Sequence, residues 1–139
     1  MPENSRPATL TAHISRDAKF IYGRYCLSLQ RASINLTNHE ILERIMSGLS
    51  KKHIELILVD AIKKLSNDQL EPSKECHVTY HVSLDAHLAY QELVLLLQHE
   101  RREIKYGKQV VQGLFLALER PDVQDPLLAL MRNNPATGT

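Results

Sequence analysis

The chain has 139 residues, 43% of them hydrophobic, with no Trp, two Cys and a formal net charge of +1. That length holds an apolar core without disulfide staples, two cysteines make no disulfide framework, and the near-neutral balance excludes a polycation that holds nucleic acid by bulk charge alone. The longest apolar stretch, around Leu93 to Leu97, is far too short for a bilayer span and no secretory apolar region follows Met1, so a cytoplasmic, non-membrane setting is expected.

Residues 1–19 read as a flexible arm carrying Arg6, Arg16 and Lys19. A first unit is expected over 20–65. It opens with a strand in which Tyr25, Leu27 and Leu29 alternate with Arg24, Cys26 and Ser28, the period-two pattern of a half-buried strand. Thr37 to Glu40 has the form of a capping box, and Ile41, Leu42, Ile45 and Leu49 mark the helix it starts, which ends at Ser47-Gly48. Ser50 caps a second helix with a stripe of Ile54, Ile57, Leu58, Ala61, Ile62 and Leu65. Polar residues 66–75, with a central Pro, read as a linker.

A second unit, 76–120, repeats the order. Val78, Tyr80, Val82 and Leu84 alternate with His77, Thr79, His81 and Ser83. Asp85 is the expected N-cap of a helix running to about His99, and a further helix covers Ile104 to Leu118. Superposing the units places Tyr25 on Tyr80, Leu27 on Val82, Ile57 on Val110 and Ile62 on Phe115. Beyond a break at Pro121 to Pro126, residues 121–139 form a short apolar tail element and a frayed end from Asn133.

One strand, a helix, a turn and a second helix, present twice, resembles the ribbon-helix-helix family typified by Arc and MetJ. The resemblance implies a mainly α fold with a short two-stranded antiparallel ribbon, a tandem pseudo-dimer in one chain. It also implies a ribbon that enters the major groove of duplex DNA. HVTYHVSLD and the run from Gly113 to Met131 are similar to the ParR/StbB group of plasmid-partition adaptors, and relaxosome accessory proteins include tandem forms. Those resemblances imply sequence-specific DNA binding in plasmid or mobile-element maintenance: centromere binding, relaxosome assembly or autorepression. An actin-like partition ATPase or a relaxase is the implied partner, with homo-oligomers forming on DNA.

Under that reading the outward strand residues Arg24, Cys26, Ser28, His77, Thr79, His81 and Ser83 meet base edges, which Arg, Ser, Thr and His address by hydrogen bonding. The alternative for them is the wet face of an ordinary sheet. Ser50, Lys51 and Lys52, with Arg101, Arg102 and Lys105, stand at helix starts, where free amides suit phosphate. Leu127, Leu128, Leu130 and Met131 form an apolar cluster that either docks a partner or caps the core. His77 and His81 are about 13 Å apart along a strand, too far to share an ion, so no metal or other cofactor is expected. No nucleophile motif is visible, and a non-enzymatic protein is expected. The competing class is a protein-interaction adaptor that binds no DNA.

Overall fold

Residues 7–14, PATLTAHI, put Leu10, Ala12 and Ile14 on one side of an extended chain and Thr9, Thr11 and His13 on the other. They form strand β1 (Pro7–Ile14) in the computed structural model, which describes residues 7–132. Ser15 then caps helix α1 (Arg16–Arg31), its Oγ accepting from the Ala18 N–H at 3.1 Å. Two helices follow, α2 (Asn38–Gly48) behind the Thr37/Glu40 capping box and α3 (Lys52–Lys63). The short α4 (Asn67–Leu70) leads to strand β2 (Cys76–Ser83), then α5 (Leu84–Glu100), α6 (Gly107–Ala117) and α7 (Pro121–Arg132). The protein is mainly helical with one two-stranded antiparallel ribbon, β1–β2. Among the described residues no helix is long and apolar enough to cross a membrane.

The strand expected at Arg24 to Leu29 is helix. Ala18, Tyr22, Tyr25, Cys26 and Leu29 are buried at helical spacing, and this stripe overrides the local alternation, leaving Leu27 51% exposed. The expected arm is the ribbon's other strand from Pro7 onward; Arg6 and the frayed end lie outside the described residues. Ser83, not Asp85, caps α5, its Oγ accepting from the Ala86 N–H. The expected linker is pinned: Leu70 is fully buried, and the side-chain amides of Gln109 and Gln112 donate to the carbonyls of Leu70, Gln69 and Glu71.

The repeat is real but its register differs from that expected. Strand and long helix recur at a spacing of 68 residues (Thr11 to Thr79), with identities at Thr11/Thr79, His13/His81, Ser15/Ser83, Asp17/Asp85, Ala18/Ala86 and Tyr22/Tyr90. The later helices recur at 69 (Ile41 to Val110), so α2 corresponds to α6 and α3 to α7. β1 pairs with β2 so that Thr11 faces Thr79. Repeat-equivalent residues therefore meet at the ribbon's centre, as an approximate twofold axis through that pair requires.

The halves interlock. α2 packs against β2 and α6 against β1, while α1 lies on α6 and α5 on α2. At the centre the Tyr22 and Phe115 rings stack at 4.2 Å, with Tyr80 edge-on to both. α7 is core, not a docking arm: Leu127 and Met131 are buried and Leu128 and Leu130 are half-buried against the same cluster. Leu130 occupies the space a Cβ would take at Gly48, and Arg44 donates to the carbonyls of Leu130 and Met131 at the end of α7.

Candidate nucleic-acid interface

Because the inner faces of both strands are buried in the helical layer, their other faces are left to solvent. Thr9, Thr11 and His13 of β1 and His77, Thr79 and His81 of β2 are all exposed. They form three cross-strand pairs, Thr9 with His81, Thr11 with Thr79 and His13 with His77. The His13 and His77 rings lie 4.7 Å apart. These pairs span about 14 Å at strand rise. The repeat makes the two ends equivalent except at one position, where Thr9 stands on one strand and His77 on the other.

Both edges of the ribbon are covered by the opposite half, which closes them to strand addition. On the β2 edge the His81 N–H donates to His39 Nδ1 at 2.9 Å and the Ser83 N–H to Glu43 Oε1 at 2.6 Å. Ser83 Oγ donates to the other Glu43 oxygen at 2.8 Å. On the β1 edge the Ser15 N–H donates to Gln112 Oε1 at 2.9 Å. These bonds fix the starts of α2 and α6 beside the exposed face. His39, in the first turn of α2, stacks on His81 at 5.2 Å, and Lys108 holds the equivalent place on α6.

The helix starts differ in charge. At α2 the Thr37 N–H donates to Glu40 at 2.9 Å, which draws that carboxyl below the usual carboxylate range. The first turn of α6 has no acidic residue, and Lys105, Tyr106 and Lys108 surround it, with Lys108 Nζ 5.4 Å above the Tyr106 ring. Beneath the ribbon, burial pushes the Tyr80 phenol up to about 12 and carries Tyr22 further upward, so both stay neutral.

Of the expected base-facing residues, His77, Thr79 and His81 lie on this surface, and Ser83 ends it as a helix cap. Arg24, Cys26 and Ser28 do not. Arg24 is on the outer face of α1 with its guanidinium 5.6 Å from the Phe20 ring centroid, Cys26 is buried, and Ser28 Oγ donates to the Tyr25 carbonyl. Ser50, Lys51 and Lys52 are exposed in the α2–α3 turn, separated from the ribbon by the length of α2, about 16 Å at helical rise. Lys52 pairs there with Glu55 at 3.3 Å. Arg101 is a structural clamp, donating to the Ile62 and Lys63 carbonyls, to Asn67 and to Glu103. Arg102 is exposed in the α5–α6 loop, and Lys105 precedes α6. Thr9, Thr11, His13, His39 and Lys108 escaped the sequence reading. The shared T-x-H-x-S spacing at Thr11/His13/Ser15 and Thr79/His81/Ser83 is the signal that marks two of them, Thr11 and His13.

Comparison of the chain with protein-family models, curated proteins and solved structures finds no match.

Proposed function

We propose that the chain binds duplex DNA and reads it with the outward face of the β1–β2 ribbon in the major groove. The observation that carries this is an exposed face of paired Thr and His residues, flanked on both edges by helix starts. A major groove about 12 Å wide admits a two-stranded ribbon. Thr hydroxyls and His rings address base edges by hydrogen bonding, and Thr methyls suit the thymine methyl. The starts of α2 and α6 lie on the two edges of the ribbon, where the first-turn amides left outside the caps suit phosphate, with Lys105 and Lys108 adding charge at α6. Each half has a strand followed by three helices, one more than the ribbon-helix-helix pattern implies, so the resemblance rests on the paired ribbon and the first two helices after each strand. A setting in plasmid or mobile-element maintenance follows from that resemblance.

The approximate twofold axis implies inverted half-sites, and the Thr9/His77 difference makes them unequal. Selection of bound sequences from a random duplex pool is the first test. Against the selected site, His13→Ala, Thr79→Ala and His81→Ala are each expected to lose about 1–3 kcal/mol of discrimination over random DNA. Lys105→Ala and Lys108→Ala weaken both DNAs alike and flatten the salt slope by about one unit per contact. Failure to bind any duplex at low salt overturns the reading. The protein is then an interaction adaptor, a role favoured by the +1 net charge and by the exposed Phe20, Leu27 and Leu95.

A further inference from the structure

α1 and α5 are equivalent by the internal repeat, yet their outer faces are opposite in charge. Phe20 and Leu27 on α1 are 63% and 51% exposed, and their equivalents on α5, Leu88 and Leu95, are 43% and 68% exposed. Each pair lies seven residues apart, on one face of its helix. Between them stands Arg24 on α1 and Glu92 on α5, both exposed. α1 carries Arg16, Lys19, Arg24 and Arg31 against Asp17, whereas α5 carries Asp85, Glu92 and Glu100 and neither Lys nor Arg.

The surroundings keep the same opposition. A groove of about 750 Å³ along α1 is lined by Phe20, Leu27, Arg16, Lys19 and Arg24 among others, with no acidic residue. One of about 330 Å³ beside α5 is lined by Leu88, Asp85, Glu92 and Glu55 among others, with no Lys or Arg. Among the described residues neither Arg24 nor Glu92 has an ion-pair partner. Gly23 adds a separate clue. Glycine inside a helix costs about 1 kcal/mol relative to alanine, and a Cβ at Gly23 would meet nothing within 4 Å. Among the described residues no packing asks for that glycine, and the absent side chain leaves room for a close approach from outside.

We infer that the α1 face of one copy docks on the α5 face of a second copy, burying Phe20 and Leu27 against Leu88 and Leu95 around an Arg24–Glu92 pair. The contact is heterologous. Each contact uses one copy's α1 face and leaves its α5 face for a further copy, so association continues beyond a pair, into rows or, where the rotation closes, rings. The inference stands apart from the DNA reading, because both faces lie on helices outside the ribbon.

Sedimentation velocity on the full chain without DNA, over a concentration series, is the test. The parent protein is expected to grow in mass with concentration, less so at high salt. Arg24→Glu and Glu92→Arg each set like charges against each other and are expected to weaken association about tenfold or more. An equimolar mixture of the two variants restores it, because each reversed face meets its complement on the other variant, and the double variant restores it alone. Unchanged thermal unfolding shows that the variants fold. A parent that stays monomeric throughout, a single variant that associates like the parent, or a mixture that stays monomeric overturns the inference. So does Leu95→Glu without effect, which signals α1 pairing with α1.

Discussion

α2 and α6 do the same work in the two halves, each holding the other half's strand, but with different chemistry. At equivalent positions α2 has Glu40 and Glu43 where α6 has Gln109 and Gln112. Glu43 accepts two bonds from Ser83 and one from Ser47, a task for two acceptor oxygens. Gln112 accepts from Ser15 and must also donate to the Gln69 and Glu71 carbonyls. Gln109 likewise accepts from the Lys105 and Tyr106 amides and donates to the Leu70 and Glu103 carbonyls. The reason is connectivity. The segment joining the halves passes the molecule once and packs on α6, and the carbonyls it turns toward that helix need donors that a carboxylate lacks.

The largest expected effects test whether the halves are equally structural. Leu58→Ala in α3 and Leu127→Ala in α7 remove equivalent, fully buried side chains. Each is expected to cost about 2–5 kcal/mol in urea unfolding; a near-zero cost for Leu127→Ala would return α7 to the role of a docking arm. Next comes the exchange of acid and amide. Gln112→Glu strands two carbonyls and buries a carboxylate at a site 3% exposed, which is expected to cost about 3 kcal/mol at neutral pH. The penalty shrinks on acidification, because the protonated acid can donate again. Glu43→Gln keeps an acceptor for the Ser83 N–H and costs about 1 kcal/mol. Equal effects of the two exchanges would remove the connectivity argument.

Acid separates the helix starts without mutation. The folded Glu40 carboxyl titrates below its ordinary value because the Thr37 N–H bonds to it. Its contribution is therefore present above the unfolded carboxyl value and is lost as pH falls through the folded one. Gln109 does not titrate. Hydrogen exchange at the Thr37 amide is expected to lose protection in acid while that at Tyr106 keeps it. The mildest contrast lies between the thiols. Cys26 is buried, and burial pushes it up to about 11, so alkylation of the native protein at pH 8 is expected to label Cys76 alone. Equal labelling would mean that α1 opens.

Where one element satisfied its own pattern, the sequence was readable. β2 alternates large apolar and polar residues, α2 carries its capping box, and α3, α5 and α6 carry apolar residues at helical spacing, so their expected positions agree with the structure within a few residues. Ser50 does not cap α3, which starts behind Lys51 without a side-chain cap, and its Oγ donates to the Ser47 carbonyl instead. β1 was hidden because its inner face is small, with Ala8 and Ala12 beside Leu10 and Ile14, and because Tyr25, Leu27 and Leu29 offered a rival alternation. Leu27 points to solvent, so that alternation was chance. Half of the candidate site went with β1. The expected phosphate contacts moved for the same reason: a missing first strand made α2 look like the first helix of its unit and α3 the second. The clamp made by Arg101 depends on where α3 ends in space, which spacing along the chain does not carry.

The interlocking of the halves also sets a timetable. Thr11 must wait for Thr79, 68 residues later in the chain, and the helix that covers the β1 edge is made later still. At roughly 5–20 residues per second, ribosomal synthesis leaves β1 without its partner strand for about 3–14 seconds. Through that interval Leu10 and Ile14 have no sheet to join, and the first half has its strand but not the helix that holds it. The small, Thr-rich composition that made β1 hard to recognise is also what keeps a waiting strand from finding the wrong partner, since low hydrophobicity with a proline at its start is a poor template for aggregation.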